Sequence, residues 1–294
     1  MTSEDLETEP RPAKPGGGAA AWRELKKAPL TAQFGLVVIA FYLLIALFAQ
    51  YLAPHGESEI VGAEFEPRFG EFFLGTDNLG RDMLTRLIYG AQNTIGIALA
   101  TTVLAFMLGG VVGIMAAVLG GWFDQFASRL VDVLMAIPAL IFAMLLLTIF
   151  GTGWLTLITV IGVLDSTRVY RIARAVSINV VVMDFIEAAR LRGEGVPWIT
   201  VREVLPNIMP PLVAEFGLRF CFVFLTISAL SFLGLGIQPP DADWGSMVRD
   251  NATLITYGDI NPLLPAAAIA LLTIGVNFVV DWFLHKTSGL KDEH

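Results

Sequence analysis

Residues 87–123 read LIYGAQNTIGIALATTVLAFMLGGVVGIMAAVLGGWF, and no side chain in this stretch is charged. A helix that crosses the hydrocarbon core of a bilayer needs about 20 apolar residues, so this one run is more than enough for a span. Several other runs of about 20 residues or more also lack charge. The whole chain follows the same bias: 55% of its 294 residues are hydrophobic and only 16% are charged. Its mean hydropathy is +0.68. A soluble domain carries about 25% charged residues. The chain therefore reads as an all-α, polytopic membrane protein with six transmembrane helices. Its net charge of −8 gives no reason to expect a nucleic-acid partner. Cys221 is the one cysteine, so disulfide frameworks and cysteine metal sites are excluded, and His55, His285 and His294 are scattered.

Outward from that run the chain divides as follows. Residues 1–33 form a polar tail in which RPAKPGGGAA is a flexible linker, and Trp22, Arg23, Lys26 and Lys27 read as an interfacial anchor. The first apolar run starts too far in, and is too long, for a signal peptide. Residues 34–53 make span 1, ended by Pro54. Residues 54–93 make an external loop, whose stretch Asp82 to Gln92 has helical apolar spacing at Met83, Leu84, Leu87 and Ile88. That spacing predicts an amphipathic helix on the membrane surface. A core over 94–284 holds spans 2–6, near 94–119, 129–150 (bent at Pro138), 154–175, 210–233 and 262–284. Gly109 and Gly113 in span 2 have the G-x-x-x-G spacing that lets helices approach closely in lipid. Residues 120–124 read as a short turn, and 285–294 as a polar tail.

The longest polar interval between spans lies within 180–208. It reads DFIEAARLRGEGVPWITVREVLPNIMPP over 184–211. Asp184 is placed to cap a short helix, with Glu187 three residues on. Ala188 and Ala189 give a face that a partner can approach, and Gly193 can take positive φ and end the helix. Leu205-Pro206 marks the start of the next membrane helix. On residue types alone, a plain solvated loop fits as well.

The positive-inside rule orients the chain. Both termini and the loops near 120 and 190 share one side with Arg11, Lys14, Arg23, Lys26, Lys27, Arg129, Arg168, Arg171, Arg174, Arg190, Arg192, Arg202, Lys286 and Lys291. The other side has Arg68, Arg81, Arg86 and Arg249, and Arg219 lies within span 5. This asymmetry predicts cytoplasmic termini and a cytoplasmic 180–208 loop.

Three pieces of sequence carry a resemblance. Glu187-Ala188-Ala189, then Gly193, then Leu205-Pro206 is similar to the cytoplasmic loop of ATP-binding-cassette (ABC) importer permeases, although Glu203 stands where that family favours an apolar residue. Leu74-Gly75-Thr76-Asp77 with Leu79-Gly80-Arg81-Asp82 resembles the segment after the first span in the second permease subunit of dipeptide, oligopeptide and nickel importers. Residues 231–247, SFLGLGIQPPDADWGSM, resemble the same group through Gly234, Gly236, Gln238, Pro239, Pro240, Trp244 and Gly245.

The resemblance implies an ABC importer type I permease fold and localisation in the bacterial inner membrane. It implies four kinds of partner: a second, homologous permease subunit, two ABC ATPase subunits, an extracytoplasmic substrate-binding protein and the lipid bilayer. Glu187, Ala188, Ala189, Gly193, Leu205 and Pro206 would shape the ATPase contact. The stretches 68–92 and 236–250 would lie outside, near the partner permease or the binding protein. Cargo stays open among dipeptides, oligopeptides, glutathione, nickel chelates, opines and sugar conjugates. The chain has no G-x-x-x-x-G-K-[ST] motif and no nucleophile–base set. It is therefore expected to be a transport subunit without catalytic residues, metal or cofactor of its own, with ATP and Mg held by the partner ATPases.

Three ionisable residues fall inside spans: Asp165, Glu215 and Arg219. Charges at that depth are costly unless they are paired or water-lined. They either line a translocation path or form an internal ion pair. A secondary transporter driven by an ion gradient is the competing class, with Asp165 as its coupling acid.

Overall fold

The computed structural model describes residues 28–288. The proposed anchor at 22–27, the rest of the N-terminal tail and residues 289–294 lie outside the described residues. Within them the fold is helical, and the only β pairing is two isolated bridges, Ile60–Arg81 and Thr76–Asp82.

Helix α1 (Leu30–Leu47) and the short α2 (Ala49–Leu52) form the first apolar segment. α1 lies along the last helix, with Gly35 against the backbone of Gly275; a Cβ on Gly35 would meet the Gly275 carbonyl oxygen. Helix α3 (Met83–Ala105) runs through a π turn at Phe106–Gly110 into α4 (Val111–Leu119). The separate surface helix expected over 82–92 is therefore replaced by the first turns of this long helix. No breaker stands between Gln92 and Thr94, and the polar groups Arg86 and Asn93 are buried against protein. Asp82 caps α3 by accepting from the backbone N–H groups of Leu84 and Thr85.

The turn expected over 120–124 is confined to Gly120 and Gly121, at φ 60° and 59°. Helix α5 (Gly121–Met135) starts there, earlier than the predicted residue 129. α5 and α6 (Ala139–Phe150) are bent by 85° at Pro138, a full break and not a kinked span. Helix α7 (Trp154–Val181) is the centre of the bundle. Gly109 and Gly113 pack on it: a Cβ at either position would strike the carbonyl oxygen of Ser166 or Tyr170. Close approach at these two positions is what the glycine spacing predicts.

Helix α8 (Asp184–Leu191) follows, then the single turn α9 (Val196–Trp198), a π segment at Ile199–Val204 and α10 (Leu205–Phe232). The last three form one continuous helical run over Val196–Phe232. The helical run that carries the fifth expected span thus begins well before the predicted residue 210, and Leu205-Pro206 sits inside it. Pro206 cannot donate a backbone hydrogen bond, and its ring would crowd the preceding turn of a regular α-helix. The wider π turn directly before it relieves that clash. Helix α11 (Trp244–Asp250), a 3₁₀ segment (Ala252–Tyr257) and α12 (Leu263–Ser288) complete the chain.

Among the described residues, four segments are long and apolar enough to cross a membrane: Leu30–Leu47, Met83–Leu119, Val196–Phe232 and Leu263–Lys286. The bent α5–α6 pair makes up to five. The remaining expected span, span 4, is α7, which has 28 residues but contains Asp165, Arg168, Arg171 and Arg174, so composition alone does not qualify it. Its polar residues are answered internally: Arg171 pairs with Asp132 at 2.7 Å, and Arg174 Nη2 with Asp124 at 2.6 Å.

Candidate functional site

Three clusters hold the residues singled out in the sequence. The first joins the two glycine-rich signatures. Gly75 and Gly80 have φ of 76° and 73°, with the backbone of Glu66 and Gly62 where a Cβ would go. These turns direct Asp77 back at Arg81, whose Nε and Nη2 both lie 2.7 Å from Asp77 Oδ2. Arg86 Nε stands 3.4 Å from the same oxygen. Arg86 Nη1 donates to the Glu57 and Pro240 carbonyls, both at 3.2 Å. Asn93 Nδ2 donates to Glu57 Oε1 at 2.7 Å and to the Ala242 carbonyl at 2.9 Å, and Ala242 N–H donates to the same Glu57 oxygen. The Trp244 indole N–H donates to the Leu87 carbonyl at 2.9 Å, with its ring fully buried. Gly245 approaches the Ser228 carbonyl too closely for any side chain.

Asp243 caps α11, accepting from Ser246 N–H at 2.8 Å and from the Thr94 hydroxyl at 3.0 Å. Burial pushes its carboxyl above the usual carboxylate range, against the pull of these hydrogen bonds. The signature residues thus form a polar knot within the chain. Asp77, Arg81, Asp82, Trp244 and Gly245 are buried, while Gln238, Pro239 and Pro240 are exposed. Glu57, Arg86, Asn93 and Asp243 are essential to this knot but were not singled out in the sequence. The signal that could have found two of them is polarity out of place, Arg86 and Asn93 within an otherwise apolar helix.

The second cluster is the arm formed by residues 184–206. Ile186 and Ala189 of α8 are buried with Ile199, Val204 and Ile208, against Ile114 and Val118 of α4 and Ala173 of α7. Glu187, Ala188 and Arg190 are exposed on the other face, and Leu191 is 83% exposed. Asp184 does not cap α8; the cap position is Met183, with no side-chain hydrogen bond. The other end is as predicted. Gly193 has φ 83°, its N–H donates to the Arg190 carbonyl, and Glu194 N–H donates to the Ala189 carbonyl, which together make a Schellman close. The departure at Glu203 also has a partner, since Arg192 Nη2 lies 3.9 Å from its carboxylate. The Arg192 guanidinium stands 6.0 Å from the centre of the Trp198 ring.

The third cluster brings Asp165, Glu215 and Arg219 together. Arg219 Nε approaches Glu215 Oε1 to 2.7 Å, and Arg219 Nη1 lies 3.7 Å from Asp165 Oδ1. Arg168, read in the sequence only as an orienting cation, adds a 3.2 Å hydrogen bond to Asp165 Oδ1. The Arg219 guanidinium also stands 4.7 Å from the centre of the Phe222 ring. Both acids are buried, and Asp165 Oδ2 has no hydrogen-bond partner among the described residues. Beside the cluster, at the α5–α6 break, is a cavity of about 470 Å³ whose wall includes Pro138, Leu140, Asp165, Arg168 and Thr226. Both earlier options therefore keep a physical basis: the residues do pair, and one of them also borders a cavity.

This arrangement has known counterparts. Residues 109–286 match the family described as the binding-protein-dependent transport system inner membrane component. The chain belongs to that family. Residues 18–66 also match the N-terminal transmembrane domain of oligopeptide transport permease C. Among curated relatives, a dipeptide transport system permease protein of Alkalihalophilus pseudofirmus is 31% identical over 92% of this chain and 87% of its own. A putative peptide transport system permease of Brucella suis is 35% identical over 88% and 86%. A peptide transport system permease of Escherichia coli O6:H1 is 33% identical over 96% of both chains. The solved MetNI methionine ABC transporter, in inward-facing conformations, superposes with a TM-score of 0.57 over 69% of this chain and 97% of its own, at 17% identity. That likeness carries the fold. This member of the inner membrane component family is an ABC importer permease with the type I fold, multi-pass in the inner membrane. It is a transport subunit and not an enzyme.

Proposed function

We propose that this permease moves peptides or peptide-like solutes, handed over by an extracytoplasmic binding protein, into the cytoplasm. It does so beside a second, homologous permease and on top of two ATPase subunits, which hold ATP and Mg. Both termini and the 184–206 arm face the cytoplasm, as the distribution of cations favours. Glu187, Ala188 and Ala189 shape the docking helix, Gly193 ends it, and Leu205-Pro206 joins it to α10. Peptide cargo is the reading favoured by the dipeptide and peptide permeases among the relatives.

The observation that carries the coupling role is the two-faced burial of α8. Its outer face is open to a partner, while Ile186 and Ala189 are wedged among α4, α7 and the π segment before α10. A push on the outer face therefore reaches three bundle helices through close-packed side chains, the kind of contact that converts partner closure into rigid-body motion. The test is ATP-dependent uptake of labelled di- and oligopeptides by proteoliposomes holding the whole importer. Glu187→Arg and Gly193→Asp should abolish uptake while the complex still assembles. Uptake that persists in both variants removes the coupling assignment. No peptide uptake in wild type, with ATPase stimulation by another ligand of the binding protein, removes the peptide cargo and keeps the importer.

A further inference from the structure

We propose that the cavity at the α5–α6 break is a subsite for a primary ammonium group carried on an apolar body, with Asp165 as its acceptor. This proposal rests on the transport reading above and names the chemistry that the path would recognise.

Three observations converge on it. First, the cavity exists because the helix breaks: α5 and α6 meet at 85° around Pro138, and about 470 Å³ opens between them, α7 and α10. Irregular backbone at membrane depth is tolerated where it is enclosed by protein or lines a cavity. Second, Asp165 is part of the cavity wall and is 6% exposed, and its Oδ2 has no hydrogen-bond partner among the described residues. Arg168 and Arg219 both address Oδ1, which leaves the second oxygen buried and without a donor. An ionised carboxylate only accepts, so the missing partner is a donor. Third, the rest of the wall is largely apolar, with Leu134, Ile137, Leu140, Ile161 and Val223.

A calcium or magnesium ion fits poorly, because it wants six or more oxygens. Among the described residues no group of three or more His, Cys, Asp or Glu could hold a metal. A primary ammonium needs one strong acceptor and presents three donors, and an attached hydrocarbon suits the apolar wall. Arg168, whose side chain is 45% exposed, stands on the same wall, where it can meet a carboxylate if the ligand is a zwitterion.

The test uses the whole importer in nanodiscs without its binding protein, so that selection by that protein does not enter. A Thr226→Cys reporter in the cavity wall is labelled with a maleimide, and labelling is followed by mass spectrometry of this chain. Phenethylamine should slow the labelling, and N-acetyl-phenethylamine, which lacks the cation, should not. Asp165→Asn should raise the phenethylamine concentration needed for protection by about tenfold or more, the loss of one charged hydrogen bond. Leu140→Trp, which fills the cavity without touching the charges, should remove protection, and it decides the matter if Asp165→Asn does not assemble. Equal protection by both probes, or protection unchanged in Asp165→Asn or Leu140→Trp, overturns the subsite. Uptake of alanyl-phenylalanine by the complete wild-type system is measured in parallel. Protection without peptide uptake keeps the subsite and removes the peptide reading, and peptide uptake without protection does the reverse.

Discussion

The polar knot that joins residues 75–94 to residues 238–247 and the arm over residues 184–206 lie at opposite ends of α7. Trp154, at the start of that helix, hydrogen-bonds Asp241 beside the knot, and Val181, at its end, leads into the arm. In the knot nearly every strong donor finds an acceptor inside the chain, over sequence separations of up to 185 residues. In the arm the hydrogen bonds are local and one face is open. A region closed on itself can hold the bundle in register but offers little to a partner. A region buried on one face alone can take a partner and pass on its movement. The family's signature residues thus fall into two kinds, those that organise this chain and those free to meet another.

The sharpest way to break this contrast is to open the knot. Trp244→Ala removes a fully buried ring and its hydrogen bond, and should cost about 3–5 kcal/mol. Thermal unfolding of the complex in nanodiscs should show it as a large fall in Tm, whereas a change confined to uptake would place Trp244 in a working surface instead.

Next in size is the pH dependence of Asp243. Its carboxyl binds a proton more readily in the folded chain than in the unfolded chain. Its contribution is therefore most favourable below the unfolded value of about 3.9 and is lost as pH rises through the raised folded value. The slope is at most about 1.4 kcal/mol per pH unit. Asp243→Asn can still accept from Ser246 N–H, and should flatten that slope in unfolding measured across pH. An unchanged slope would mean another group sets it.

In the arm, Gly193→Ala adds a Cβ that meets nothing within 4 Å, so its cost is conformational, about 1–2 kcal/mol for a side chain held at positive φ. It should lower ATP-dependent uptake more than it lowers Tm. The reverse ranking would make the Schellman close a matter of stability alone. The smallest effect is expected for Arg192→Ala. The Arg192–Glu203 pair is long and largely exposed, so Tm should change by an amount equivalent to less than about 0.5 kcal/mol. A large loss would show that the arm is as tightly self-bonded as the knot.

The two regions also differ in how far the sequence reveals them. The close of α8 was legible because Gly193 and its neighbours act over a few residues. The membrane character, the helical fold and the tight contact of Gly109 and Gly113 were legible for the same reason: composition and spacing are local properties. Asp184 misled because the helix starts one residue earlier than its cap role requires: Met183 holds the cap position and Asp184 is already the first helical residue. The extent of α3 and the early start of α10 were hidden. In the first case the apolar spacing at Met83, Leu84, Leu87 and Ile88 suggested a separate surface helix, whereas distant loops satisfy the polar Arg86 and Asn93 on the same helix. In the second, a π segment lets the helix run through Pro206. Glu57, which ties three backbone and side-chain groups across 29 to 185 positions, leaves no local trace. The meeting of Asp165, Glu215 and Arg219 could be anticipated from the cost of charge in a membrane, but the helix break that opens a cavity beside them could not.

The measurement that bears most directly on the coupling account is cross-linking from the exposed face of α8. An Ala188→Cys variant would be reacted in the assembled importer with short bifunctional thiol reagents, in the absence and presence of nucleotide. The account predicts a covalent product with an ATPase subunit, whose yield changes when ATP binds. If the Ala188→Cys thiol instead reacts with a bulky maleimide equally well with and without the ATPase subunits, and no cross-linked product forms, the arm is not the coupling element.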